Sequence, residues 1–354
     1  MALSHAGLNR KTRFATLTVV AGANLPDIDI VTWADSTATY LKYHRGLTHS
    51  LLGVTILGGL LGLLIHYGGR WKGPNRAGLT ANLRWLMLCG LTGTFSHLLL
   101  DFTNPYGVRA LSPFSDRWYS WDIVFIADPL FWFVLTLGLG LPALLRLVSA
   151  EVGASKPEYR RGAVCSLCAI LLLWGARDLC HRRAVSLLDS QMYGEENPRH
   201  LGVYPSTLNP LTWTGVIETD SAFHVLAVNA LDDHINPREA LILRKPASTP
   251  ALEAAMRTRT AAIFLEFAEF PWASVREVED GFDVSLRDLR FFSLISDRQR
   301  FVVDVKLDSD LRVRSESFSF SSPSRREFPQ EPAEGEERGA SSEAAAAGRA
   351  MSRR

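Results

Sequence analysis

Histidine and aspartate recur in four short clusters in the first half of the chain. The first is Asn24-Leu-Pro-Asp27-Ile-Asp29, where a proline interrupts an apolar run and two carboxylates follow. The second is His44-Arg45-Gly46-Leu-Thr48-His49-Ser50, directly ahead of a long apolar stretch. The third pairs His97 with Asp101 and runs on into Asn104-Pro105-Tyr106-Gly107; the fourth is Asp122 with Asp128. Imidazole and carboxylate together are donors for divalent zinc, manganese or iron, and most of these side chains would be needed to hold two ions. An ion so held makes a nucleophile from water near neutral pH and polarises the bond under attack.

The spacing says which donors can meet. His97 and Asp101 are four apart, so on a helix they share a face. His44 and His49 are five apart, a poor match to one helix face, but Gly46 permits a turn and Thr48 is expected to cap the following helix, which lets His44 fold back beside His49. Asp27 and Asp29 converge only on an extended or turning backbone, which Pro26 allows. Asp27, Asp29 and Asp101 lie at the C-terminal ends of apolar helices, where the macrodipole disfavours negative charge. Asp128 falls inside an apolar stretch, where an uncompensated carboxylate costs at least ~2.5 kcal/mol. A divalent cation reverses the sign of both penalties. Read singly, each cluster has an ordinary explanation: a helix stop, polar residues near lipid headgroups, a buried structural pair. Their common placement at one membrane face favours a metal or catalytic site.

Helices must hold these groups at one level. A bilayer-crossing helix takes about 20 apolar residues, and four stretches span or nearly span that length: 51–67, 83–100, 123–148 and 163–179. A fifth, 14–25, is too short to cross alone and reads as one arm of a half-spanning hairpin packed against the others. Basic residues set the orientation. Arg10, Lys11 and Arg13 precede the short helix, Arg70, Lys72, Arg76 and Arg84 flank the second connection, and Arg146, Lys156, Arg160 and Arg161 separate the last two spans. If the helices alternate, these groups share one side, which their positive charge makes cytoplasmic. Residues 27–50, 101–122 and those after about Leu179 then face outward, with Arg177, Arg182 and Arg183 weighing mildly against it.

Past Ser186 the pattern changes. Residues 213–219 and 222–229 alternate like a hairpin, 250–270 reads as an amphipathic helix, and 275–278, 282–286, 300–307 and 312–320 read as strands. The fold class expected is an α-helical polytopic membrane domain (1–182) followed by a small soluble α+β domain (186–320) and a disordered tail (321–354) rich in Pro, Glu, Ser, Ala and Arg. With 38 basic against 37 acidic residues in 354, bulk charge points away from nucleic acid. Cys165-x-x-Cys168 lies in an apolar run, where cysteine acts as a small hydrophobe. His66, His181, His200, His224 and His234 lack convergent spacing. No secretory signal with a cleavage site is visible at the start.

At the residues that carry the chemistry, the chain resembles the YdjM-like family, described as LexA-regulated, membrane-bound metal-dependent hydrolases. The matching strings are "NLPDIDIV", "YHRGLTHSLLG", "FSHLLLDFTNPYGV" and "WDIVFIADPLF", roughly residues 22–133; "NPLTWTGVIET", "FLEFAEFP" and "DLRFF" extend the likeness to about residue 320. The resemblance implies metal-dependent hydrolysis, with Asp27, Asp29, His44, His49, His97 and Asp101 as ligands or site residues. Family members usually open further upstream with a Thr-His pair; His5 does not sit at that position, so either the start is misassigned or one site histidine is missing. The reading adopted is a hydrolase of the bacterial inner membrane with a divalent metal, acting at the outer face on a lipid-linked or amphiphilic substrate. The bond expected is a phosphoester. Arg45 and Asn104 would orient substrate, and Asp122 or Asp128 would support the ligands or act as general base. The rivals are a non-enzymatic membrane protein using the cluster for structural metal, ion passage or partner docking, and an outer domain that binds a peptide or glycan above an inert anchor.

Overall fold

The computed structural model describes residues 1–152, 159–207, 209–292, 294 and 299–322. The tail expected from Ser321 lies outside them from residue 323 onward, as does Lys156 of the third basic group. The chain opens with the single turn α1 (Ala2–His5) and a 3-10 turn at Leu8–Arg10, then α2 (Ala15–Asn24). Pro26 ends α2 and starts a 3-10 segment, Pro26–Ala34, followed by α3 (Thr37–Tyr43) and a second 3-10 turn, Leu47–His49. Four helices long and apolar enough to cross a membrane come next: α4 (Leu51–Gly69), α5 (Leu83–Phe102), α6 (Pro129–Val152) and α7 (Tyr159–Asp189).

Small residues let these helices approach closely. A Cβ at Gly58 would strike the Leu91 backbone, one at Gly62 the Met87 backbone, and one at Gly93 the Val19 carbonyl and the Ala23 nitrogen. Glycines therefore fix α4, α5 and the short α2 as one packed group. Outside it, Leu60, Leu64, Leu171 and Leu172 remain exposed, as lipid-facing positions should. Cys165 and Cys168 are free and exposed on α7, in keeping with their reading as small hydrophobes.

The third span begins later than its apolar run. Ile123 and Val124 are buried but not helical, and their N–H groups both donate to the Thr103 carbonyl. The helix starts at Pro129 because Asp128 caps it: Oδ1 accepts the N–H groups of Leu130 and Phe131. Conversely, α7 continues ten residues past the predicted end at 179, reaching Asp189.

The C-terminal segment is α+β, built on two antiparallel four-stranded sheets. The first runs β1 (His200–Pro205), β2 (Thr212–Glu218), β3 (Ala222–Asn229) and β4 (Leu241–Arg244), in that order. It packs on the last turns of α7, where Ala184 and Leu188 join Trp213, Ile217 and Leu226 in one core. Next come α8 (Pro250–Met256) and α9 (Arg259–Phe267), two helices where one was expected; Thr258 caps the second with its side chain. They cover a sheet ordered β5 (Pro271–Val278), β6 (Gly281–Asp288), β7 (Gln299–Asp308) and β8 (Val313–Ser322). Tyr204, Val216 and Val225 of the first sheet bury against Phe270, Trp272 and Leu289 of the second part. The hairpin and the later strands match the sequence reading; β1 and β4 escaped it. The core under the second sheet (Phe264, Phe267, Val284, Val303) also includes Ala38, Leu41 and Tyr106 from the helical half. The two halves thus share a core, which lies against the segments that carry the polar clusters.

Candidate metal centre

The N-terminal end of α4 and the C-terminal end of α5 bring the clusters together. Asp27 and Asp29 come from the first turn of the Pro26–Ala34 segment, His44 from the end of α3, His49 from the turn ahead of α4, and His97 and Asp101 from the last turns of α5. His97 and Asp101 meet at 3.1 Å, as their spacing requires. His44 does fold back beside His49, with ring centroids 5.5 Å apart. The cap on α4, however, is Ser50, whose Oγ accepts from the Gly53 N–H. Thr48 instead donates its hydroxyl to Asp29 Oδ2 at 3.0 Å.

The tautomers of the two central histidines follow from their partners. His97 Nδ1 lies 2.7 Å from the Ala23 carbonyl, which can only accept, so Nδ1 carries the proton. His49 Nδ1 lies 3.3 Å from Asp29 Oδ2 and 3.0 Å from the oxygen of Thr48, whose own proton goes to Asp29, so it also donates. Both neutral rings then present an Nε2 lone pair, and these face each other at 3.1 Å. Asp27 Oδ1 stands 3.4 Å from one and 3.5 Å from the other. Asp101 Oδ2 stands 3.4 and 3.1 Å away, buried and without a hydrogen bond. Two lone pairs repel at this distance unless a cation or an added proton lies between them. Bonds of 2.0–2.1 Å to one ion in tetrahedral geometry would separate ligand atoms by about 3.3 Å, close to these spacings. The residues present therefore fit a divalent cation.

Charge reinforces the geometry. Contacts from His49, then from His97, hold the Asp27 carboxyl well below the usual carboxylate range. Burial alone would raise Asp29, but contacts from His44 and His49 outweigh it, so this carboxyl too is held down. Burial lowers His44 in spite of Asp29. Burial opposes charge on His49 as well, yet Asp27 and Asp29 raise its affinity for a proton. The pocket attracts positive charge.

Arg45 behaves differently from the substrate clamp expected of it. It is buried, its Nη2 pairs with Asp101 Oδ1 at 2.8 Å, and its Nη1 donates to Asn104 Oδ1 at 3.0 Å and to the Gly107 carbonyl at 3.3 Å. Asn104 Oδ1 also accepts the Tyr106 N–H, so both residues brace Asp101 and the Asn104–Gly107 loop, which commits Arg45 Nη1 and Nη2 and Asn104 Oδ1 within the fold. The Arg45 backbone is left-handed (φ 57°), a strain of about 1–3 kcal/mol, and its N–H donates to Asp29 Oδ2 at 3.1 Å.

Asp128 is removed from the site altogether. Besides capping α6, it pairs through Oδ2 with Arg177 at 2.6 Å, both side chains almost fully buried. The sequence reading left it uncompensated because Arg177 lies on another span. Asp122 accepts from Ser120 Oγ at 3.0 Å; burial, with Glu269 nearby, pushes its carboxyl up to about 7. The charges that act on it are Glu269 and Arg290 of the C-terminal segment, which argues against a role as base beside the imidazoles. His5 packs against Tyr159 with tilted rings 5.2 Å apart, on the α7 side of the bundle.

Against known proteins, the model of the YdjM inner membrane protein family matches residues 1–183. The chain belongs to the YdjM inner membrane protein family. The model of the YfhP C-terminal alpha/beta plait domain matches residues 250–327, which takes in α8, α9 and the second sheet. A relative, YfhP of Bacillus subtilis, is 24% identical over 304 residues, covering 84% of this chain and 83% of its own length. No solved structure matches. The family and the four apolar helices make this a membrane protein.

Three contributors to the site had no local signal. Tyr106 lies under the Arg45 guanidinium, which stands 4.5 Å from the ring centroid, and it also meets Phe267 (4.8 Å) and Phe301 (5.6 Å) of the plait. Tyr40 stacks on His44 at 4.4 Å. Arg290, fully enclosed, donates to the Pro105 and Phe267 carbonyls and pairs with Asp288. The strings "NPYGV" and "DLRFF" marked Tyr106 and Arg290 by resemblance, without their partners.

Proposed function

We propose that this chain is a metal-dependent hydrolase of the bacterial inner membrane, acting at the outer face on a lipid-linked or amphiphilic substrate, with a phosphoester as the bond cleaved. The observation that carries the reading is the pair of Nε2 lone pairs of His49 and His97, 3.1 Å apart and bordered by Asp27 and Asp101. Asp27, His49, His97 and Asp101 would hold the ion. When bound, the ion supplies Lewis acidity to the bond under attack and lowers the pKa of water.

The chain's own residues do the rest. The Ala23 carbonyl and the Asp29–Thr48 pair keep both imidazoles in the tautomer that exposes Nε2. Arg45 fixes Asp101 from behind. Asp27 is the open side of the cluster, its side chain 51% exposed. The segment that bears it also exposes Ile28, Ile30, Val31 and Trp33, an apolar lip at the end of the membrane helices that suits an amphiphile. The basic groups at the other ends of the helices support an outward-facing site and an extracytoplasmic plait domain.

The test uses the full chain purified in detergent, with metal content by elemental analysis, phosphate release from short-chain phosphatidic acid and chromophore release from a chromogenic phosphodiester. Bound divalent metal, and turnover lost on chelation and in His97→Ala, is the expected result. Metal-free protein, with turnover unchanged in His97→Ala, would overturn the proposal. Bound metal with ion flux in liposomes and no product would favour ion passage.

A further inference from the structure

We infer that the cluster holds two divalent ions, with the Asp27 carboxylate shared between them. The inference rests on the metal reading above and extends it on a separate set of atoms. Donor atoms of Asp27, His49 and His97 lie within 4.8 Å of one another, and so do donor atoms of Asp27, Asp29 and His44. Asp27 is the member common to both triplets. It contacts the first pair of imidazoles through Oδ1, and it is the most open of the carboxylates.

The second triplet is held in place by contacts of its own. Asp29 Oδ2 accepts from the Arg45 N–H and the Thr48 hydroxyl and faces His49 Nδ1. Those three contacts leave Oδ1 beside His44 Nδ1 at 3.0 Å. The His44 ring is fixed by Tyr40 stacked at 4.4 Å and Tyr106 edge-on at 5.6 Å. A carboxylate that links two ions 3.5–4 Å apart is the usual core of two-metal hydrolytic sites.

Charge balance gives the ligand class. Asp27, Asp29 and Asp101 against Arg45 leave the pocket doubly negative with neutral imidazoles. One divalent ion only neutralises it. A second makes it cationic, and a cationic pocket beside an apolar lip selects an anionic headgroup such as a phosphoester over a neutral ester or amide.

The test is a Mn2+ titration of the chelator-stripped full chain in detergent, read by calorimetry and by electron paramagnetic resonance. Two Mn2+ per wild-type chain with an exchange-coupled multiline spectrum, and one Mn2+ with an uncoupled six-line spectrum in His44→Ala, is the expected result. One Mn2+ per wild-type chain, uncoupled and unchanged by His44→Ala, overturns the shared-carboxylate inference while leaving the metal reading intact. No Mn2+ bound by wild type overturns both. The wild-type stoichiometry decides the question even if a variant fails to fold.

Discussion

Arg290 donates from Nη1 to the carbonyl of Pro105 at 3.1 Å, across 185 residues of sequence and from the plait domain to the loop that follows α5. Its other guanidinium nitrogens hold the Phe267 carbonyl at 2.8 Å and Asp288 at 2.7 Å. The loop so gripped carries Asn104 and Tyr106, which brace Arg45, which in turn pairs with Asp101. The plait domain is thus mechanically continuous with one of the carboxylates of the candidate metal centre.

If that continuity matters, loosening it should weaken metal binding without touching a ligand. Replacing residues that orient metal ligands costs about 10–100-fold in affinity, and Arg290→Met is expected to fall in that range for Mn2+, with partial recovery in Arg290→Lys. Arg290→Met also strips Asp288 of its partner, a loss of about 3–5 kcal/mol for a buried pair. Asn104→Ala is the milder companion, since it breaks the Arg45 contact and leaves the plait core intact. Equal Mn2+ affinity in wild type, Asn104→Ala and folded Arg290→Met would show that the plait merely sits on the helices.

Asp29 provides a second handle. Asp29→Asn keeps the shape but removes the charge and replaces one acceptor oxygen by a donor, so the contacts at Oδ2 (Thr48, the Arg45 N–H and His49 Nδ1) and the contact of Oδ1 with His44 Nδ1 can no longer all be satisfied. The His49 tautomer that exposes Nε2 loses its anchor. We expect weaker Mn2+ binding by about 10–100-fold, with Thr48→Val showing a smaller loss in the same direction. Calorimetry on the three proteins checks the order; Thr48→Val weaker than Asp29→Asn would reverse the assignment of roles.

These tests separate what was legible in the sequence from what was not. His97 and Asp101 could be paired because a helix repeats every few residues, and the Gly46 turn that returns His44 to His49 could be read from residue type. Thr48 was misread as a cap because Ser50, two residues on, does that work and frees Thr48 for Asp29. Helix α6 starts later than its apolar run because Ile123 and Val124 are buried by packing in irregular backbone, which hydropathy alone cannot tell from a span. The roles of Arg45 and Arg290 at the site depend on Asp101 and Pro105, 56 and 185 residues away, which no local pattern encodes.

Asp122 makes a prediction about pH. Its carboxyl is pushed up to about 7 by burial and by Glu269, so the fold favours the protonated form. Between the unfolded value of about 3.9 and 7, the native state binds more protons than the unfolded one, and stability falls as pH rises. The contribution is complete below the unfolded value and is lost as pH passes through 7. Asp122→Asn removes this dependence. Thermal unfolding in detergent should therefore find Asp122→Asn gaining on wild type between pH 5 and pH 8. A constant difference across that range would mean that Asp122 does not titrate there.

The Arg177–Asp128 pair tests whether Asp128 belongs to the chemistry. At 2.6 Å, with both side chains buried between α6 and α7, the pair is structural in the present reading. Arg177→Leu alone leaves a buried carboxylate without its cation, and breaking such a pair costs about 3–5 kcal/mol. Asp128→Leu leaves the guanidinium stranded and removes the α6 cap as well. The double variant removes both charges and should recover much of the loss, which a double-mutant cycle by thermal unfolding measures. Mn2+ stoichiometry should stay at the wild-type value in the folded double variant, and so should turnover per folded chain. Loss of turnover there, with metal still bound, would return Asp128 to the reaction as the base its position in the sequence first implied.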